Sequence, residues 1–135
     1  MARSDFENLR VYKLSENLSD EVWDIVILWD DFAKKTVGVQ LVKAADSVGA
    51  NIAEGSGRGS YKDNRHFVRI ARGSLKETQH FLRRAYKRKL LIDSQIAKLK
   101  PIIDELAPKL NAYLKSIGQK ATDPAFPSGL RRASN

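Results

Sequence analysis

Cysteine is absent from this 135-residue sequence, which excludes a disulfide framework, a thiolate zinc site and a cysteine nucleophile together. Only two histidines are present, His66 and His80. Long apolar runs are missing too. The longest, Ile25 to Trp29, falls far short of the roughly 20 residues a membrane-spanning helix needs. The opening Met-Ala-Arg-Ser-Asp-Phe holds no apolar segment of the signal-peptide kind. A soluble, cytoplasmic protein without membrane contact is the expectation. The apolar–polar alternation that marks a strand is also lacking. A chain of this length fits one domain, which buries roughly 65–70% of its unfolded surface without a metal or disulfide.

Acidic residues are nearly missing from one long stretch. Between Tyr61 and Ile92, ten lysines and arginines face only Asp63 and Glu77, a net of +8 that equals the charge of the whole sequence. At 100° per residue, Arg65, Arg69, Arg72, Lys76, Arg83 and Lys87 fall within roughly 60° of one another on a helix. Phe67, Ile70, Ser74, Thr78, Phe81 and Ala85 lie on the other side and form the expected buried face. A sequence pI near 9.8 invites RNA or DNA, or an acidic protein, as partner.

Four helical patterns account for the chain. Val11, Leu14, Leu18, Val22, Ile25, Trp29 and Phe32 recur at steps of three and four and predict a helix over about 9–31. Its outer face carries Glu16, Asp20, Glu21, Asp24, Asp30 and Asp31. A second helix, about 37–56, places Leu41, Ala44, Ala45, Val48 and Ile52 on one side. Gly55-Ser-Gly-Arg-Gly-Ser60 then breaks the pattern, because glycine in a helix interior costs about 1 kcal/mol relative to alanine. Ser60 is a fair N-cap for the third, basic helix, about 61–90. Asp93 or Ser94 could cap the fourth, about 94–117, whose seam is Ile96, Leu99, Ile103, Leu106, Leu110, Tyr113 and Ile117. Pro101 and Pro108 interrupt hydrogen bonding there without interrupting the seam, so one kinked helix is expected. Residues 118–135 turn polar and read as a flexible tail. The expected fold class is all-α, an antiparallel up-down-up-down four-helix bundle over 1–117.

Lys43-Ala-Ala-Asp-Ser-Val-Gly-Ala-Asn-Ile-Ala-Glu-Gly55 and Phe67-Val-Arg-Ile-Ala-Arg-Gly-Ser-Leu-Lys-Glu77 together resemble the four-helix-bundle family of 23S rRNA intervening-sequence proteins. The resemblance rests on Asn-Ile-Ala-Glu-Gly at 51–55, Gly-Ser-Leu-x-Glu at 73–77 and the opening Phe6-Glu-Asn-Leu9. It covers about Phe6 to Ile117. The resemblance implies a homo-oligomer. A relative, the accessory variability determinant of diversity-generating retroelements, forms a barrel-like homopentamer and binds nucleic acid and a reverse transcriptase through basic surface. A homopentamer and nucleic-acid binding are therefore expectations drawn from that resemblance.

The signature residues also have a reading of their own. Ser47, Asn51 and Glu54 make a polar stripe beside the second helix's core face. Asn51 and Glu54 could hydrogen-bond across a helix pair, to Ser74 or to an arginine, and so fix register. Gly49, Ala50, Ala53, Gly55 and Gly73 keep the surface thin where helices or subunits approach. A direct ligand or catalytic role for this stripe is the competing reading.

Other chemistry finds little support. Glu77-Thr-Gln-His80 matches the Glu-x-x-His half-site of di-iron bundles, but no second copy or further inward carboxylates accompany it. Neither metal nor cofactor is expected. The 55–60 loop follows a helix and lacks the closing Gly-Lys-Ser/Thr of a phosphate-binding loop. It reads as an interhelix turn, or as an anion site formed by Arg58 and the amides that open the third helix. No serine, histidine and carboxylate assemble a triad, so no enzyme is expected. Arg131-Arg-Ala-Ser134 has the form of a kinase recognition site, a cheap match in a tail. Three readings stay open for the basic stripe: nucleic-acid binding without sequence preference, pairing with the acidic face of the first helix within or between subunits, and plain solvation. The second reading belongs to an oligomeric scaffold that recruits an acidic protein.

Overall fold

The computed structural model describes residues 6–119, and among them there is no strand. Four long helices carry the fold: α1 (Arg10–Val26), α2 (Val39–Ser56), α3 (Tyr61–Lys87) and α4 (Asp93–Ser116). α1 packs on α2, α2 on α3, α3 on α4 and α4 back on α1, so the helices ring one core. Leu18 and Val22 from α1, Leu41, Val48 and Ile52 from α2, Val68 from α3, and Leu106 and Leu110 from α4 are fully buried at its centre.

α1 is shorter than its apolar seam. The helix stops at Val26, not near residue 31, and the chain turns through Ile27–Trp29. Asp30 supplies the reason, since its carboxylate accepts the Ala33 N–H at 2.9 Å and caps a new helix. That helix begins at Asp31, earlier than the expected 37. It passes through a loosened stretch, Lys34–Gly38, where the Val39 N–H reaches back five residues to the Lys34 carbonyl, and continues into α2. The turn swings Trp29 inward and leaves Phe32, an expected core residue, 79% exposed.

The buried indole of Trp29 donates from Nε1 to the Leu90 carbonyl at 3.0 Å. It thereby joins the turn after α1 to the turn after α3. The latter is a Schellman ending: Lys89 takes φ 62°, its N–H bonds the Tyr86 carbonyl, and the Leu90 N–H bonds the Ala85 carbonyl. α4 then opens with Ile92 as N-cap, one residue before Asp93, and Gln95 Oε1 accepts the Ile92 N–H at 3.0 Å. Pro101 and Pro108 both lie within α4. Leu99, Leu106, Leu110 and Leu114 are its buried residues, while Ile96, Ile103 and Tyr113 of the expected seam are only partly covered.

α3 is rotated from the sequence expectation. Its buried residues are Val68, Ala71, Ser74, Leu75, Thr78, Leu82 and Ala85. Ile70 is exposed, and Phe67 and Phe81 are half-buried. Small side chains won the core positions because α2 and α3 form the tightest pair in the ring. At their closest point a Cβ on Gly55 would stand 2.6 Å from Asn64 Oδ1, 3.0 Å from the Asn64 carbonyl oxygen and 3.1 Å from Phe67 Cβ. Two of those neighbours are backbone or stem atoms that cannot swing aside. Gly55→Ala should therefore lower stability by about 1–3 kcal/mol, the usual cost of overpacking, measured by urea unfolding at neutral pH.

One ion pair links the start of α1 to α4. Arg10 donates from Nε and a terminal nitrogen to both Glu105 oxygens, at 2.8 and 2.7 Å. The hydrogen-bonded Arg10 guanidinium holds the Glu105 carboxyl below the usual carboxylate range, and Glu105 raises Arg10 in turn. A depressed folded-state pKa adds stability above the ordinary carboxylate range, and that stability is lost as pH falls through the lowered value. Arg10 is exposed and Glu105 partly so, which keeps the effect small. Glu105→Gln should reduce the melting temperature slightly at neutral pH, with the difference vanishing at the acid end of a pH series.

Candidate functional site

The rotation of α3 decides where its cations go. Arg65, Arg69, Arg72, Lys76, Arg83 and Lys87 stand about a third of a turn from the core face, toward α4, not opposite the core. α3 and α4 make the loosest of the four neighbouring pairs, and the seam between them is an open furrow. Its near end is lined by Arg65, Arg69, Arg72, Lys115 and Gln119. Arg72, Lys76, Gln79, Ala107 and Asn111 line its middle. At the far end Arg83, Lys87 and Lys100 rim a recess of about 590 Å³ with an apolar floor that includes Leu82, Leu91, Ile96, Leu99 and Ile103. All six stripe residues thus line three successive recesses, the first two sharing Arg72 and the last two sharing Gln79.

α4 supplies the facing wall through Lys100, Asp104, Ala107, Asn111 and Lys115. Eight cations against Asp93 and Asp104 leave the furrow six charges positive, and Asp104 is held by Lys100 at 3.0 Å. Two arginines are positioned by α4 itself. Arg65 donates to the Ile117 carbonyl at 3.1 Å, beside Gly118 at φ 89°, and Arg72 donates to Asn111 Oδ1 at 3.2 Å. Among the described residues, no stripe cation pairs with a carboxylate; the ion pairs there are Arg10–Glu105, Lys35–Asp31, Arg58–Glu54, Lys100–Asp104 and Lys109–Glu105. Pairing with the acidic face of α1 within one subunit is therefore not how the stripe is neutralised.

That arrangement works against the helix. Arg65/Arg69, Arg69/Arg72, Arg72/Lys76 and Arg83/Lys87 are like-charge neighbours at three- or four-residue spacing, and together they cost about 1–2 kcal/mol. The bonds of Arg65 to Ile117 and of Arg72 to Asn111 offset that only in part, and no such bond holds Arg69, Lys76, Arg83 or Lys87 among the described residues.

The family-signature residues are used locally. Asn51 Nδ2 donates to the Ser47 carbonyl and Ser47 Oγ to the Lys43 carbonyl, both at 2.8 Å, so these side chains bond their own helix and do not cross to α3. Glu54 does meet an arginine, but it is Arg58, four residues on, at 3.3 Å. Arg58 also lies over the Phe67 ring, 4.7 Å from its centroid. It is thereby turned toward Glu54 and Phe67 and away from an anion site. The Ser74 carbonyl accepts Thr78 Oγ1 at 2.8 Å inside α3. Gly49 meets Ser15 of α1 closely. Gly73 makes no close approach within its own chain, since a Cβ there would find nothing within 4 Å. His66 and His80 are exposed, and the described residues contain no cluster of three or more His, Cys, Asp or Glu able to hold a metal. No helix among them is long and apolar enough to cross a membrane. The Arg131–Ser134 match and the rest of the tail beyond Gln119 fall outside the described residues.

Gln79, Lys100, Asn111 and Lys115 were not anticipated as furrow residues. Lys100 and Lys115 each follow a buried leucine of α4, Leu99 and Leu114, which was the one available signal.

The model of the 23S rRNA-intervening sequence protein family matches residues 7–112, which include both signature segments and most of the furrow. The chain belongs to this family. A crystal structure of a protein of unknown function from the S23 ribosomal protein family of Bacteroides thetaiotaomicron is similar in fold, with a TM-score of 0.68 at 19% identity, over 78% of this chain and 99% of that chain. No curated protein matches the sequence. As a 23S rRNA-intervening sequence protein, the chain carries its Gly-Ser-Leu-x-Glu glycine, Gly73, on open helix surface. If that surface faces solvent, Gly73→Ala should raise stability by about 0.5–1 kcal/mol. A fall in stability on the same substitution would place another chain over Gly73.

Proposed function

We propose that this 23S rRNA-intervening sequence protein is a non-enzymatic, cytoplasmic nucleic-acid-binding accessory protein that reads no base sequence and binds through the α3–α4 furrow. The observation that carries the reading is the furrow's unneutralised charge: six aligned cations on α3 without a carboxylate partner among the described residues, at a cost to the helix that packing does not explain. Phosphates would supply the missing anions. The bundle in this reading is antiparallel, up-down-up-down, and assembles as a homo-oligomer, with a pentamer as the expected state. Exposed apolar side chains at one end support assembly: Trp23, Ile27, Leu28, Phe32 and Val39 are 44–79% exposed around the turn after α1.

A second reading has one observation behind it. The far recess joins an apolar floor to Arg83, Lys87 and Lys100, chemistry that an acidic peptide with apolar side chains would also satisfy. In that case the protein is an oligomeric scaffold for an acidic partner.

Fluorescence anisotropy with labelled RNA and DNA across a salt series tests the choice. If six phosphates are contacted, the log–log slope lies between about −4 for a single strand and about −5 for a duplex, and affinity falls by roughly two to three orders of magnitude between about 50 and 200 mM salt. Arg69→Glu, Lys76→Glu and Arg83→Glu together should weaken binding at least about a hundredfold at low salt. These three are exposed, unlike the anchored Arg65 and Arg72, so light scattering should find the oligomer unchanged. No binding at about 50 mM salt, together with tight binding of an acidic peptide, would favour the scaffold.

A further inference from the structure

We infer that the furrow takes a single strand of nucleic acid and not a duplex, with Tyr61 and Tyr86 as stacking platforms at its two ends. The inference rests on the nucleic-acid reading above and names the form of that ligand.

The row of cations is straight. Arg65 to Lys87 spans about 33 Å at 1.5 Å per residue, with successive steps of about 4.5–6 Å. The one longer gap, between Lys76 and Arg83, is filled by Gln79, which lines both the middle of the furrow and the far recess. Each strand of a duplex winds about the axis and returns to the same side only once in about 34–36 Å. A straight row of that length therefore meets each duplex strand about once, leaving most of the six cations without a phosphate. A strand pulled out of continuous stacking can follow the row and use every cation.

Shape points the same way. The furrow lies between two adjacent helices, and the axes of packed helices are typically about 8–10 Å apart, less than the width of a double helix. It suits one backbone with its bases turned inward. The floor beneath Arg83 and Lys87 is apolar and about 590 Å³ in volume, a surface against which bases can bury their faces.

Two exposed aromatics then bracket the row. Tyr86 lines the far recess beside Arg83 and Lys87 and is 55% exposed. Tyr61, 56% exposed, stands at the near end, where Gly118 packs against both its side chain and Arg65. The pair is about 37 Å apart along α3. Cationic grooves with aromatic platforms are how sequence-tolerant single-strand binders hold their ligand.

The test uses the full chain with labelled oligothymidine and oligouridine of about ten nucleotides, and with duplex DNA and duplex RNA of the same length, at about 50 mM salt. Either single strand should bind at least about tenfold tighter than its own duplex, with a salt slope near −4 because a single-strand contact contributes about −0.7. Tyr86→Ala should weaken single-strand binding about five- to a hundredfold, Tyr86→Phe should retain it, and duplex affinity should not move. Duplexes that bind as tightly as single strands, or a Tyr86→Ala variant with unchanged single-strand affinity, would overturn the inference and leave nucleic-acid binding standing. Failure of all four probes would end both.

Discussion

The contact between α2 and α3 at Gly55 sets the rest of the molecule. Only a glycine lets the end of α2 lie against Asn64 and Phe67, and the closeness continues along a seam where α3 contributes Val68, Ala71 and Ala85. A helix held that tightly cannot choose its rotation freely. Presenting small residues to α2 and the core turns the cationic side of α3 toward α4. The α3–α4 seam is then left the loosest of the four and lined by like charges.

Much of the fold was legible in the sequence and less of the site. Helix number and most core residues followed from spacing, because an apolar stripe at steps of three and four has one physical use in a bundle. Ser60 was found as an N-cap and does accept the Asp63 N–H. On α3 the face opposite the cations is the expected core, and Ser74, Thr78 and Ala85 of that face are buried. Phe67, Ile70 and Phe81 are displaced outward because Val68, Ala71, Leu75 and Leu82 pack inward in their place. The apolar run Ile25–Trp29 concealed the end of α1, although Asp30 marked it as a helix cap. Gly73 has the residue type of a packing glycine, yet within its own chain nothing approaches it. The furrow itself could not be read from one helix, since its far wall is a second stripe on α4 from Lys100 to Lys115.

Two surfaces of the described residues stand out. The apolar end around Leu28 and Phe32 is suited to protein contact, and the furrow to an anion. They are connected mechanically, because the Trp29 indole bonds the Leu90 carbonyl and so ties the apolar end to the turn that closes the far recess.

The central claim is that the α3–α4 furrow, and no other surface, holds the nucleic acid. Ultraviolet crosslinking of a bound oligouridine, with the modified residues located by mass spectrometry, addresses it directly. Crosslinks at Tyr86 and its furrow neighbours, and at Tyr61 in longer strands, are the predicted result. Crosslinks confined to the apolar end around Trp23 and Phe32, or to His66 and His80 on the outer face of α3, would contradict the account.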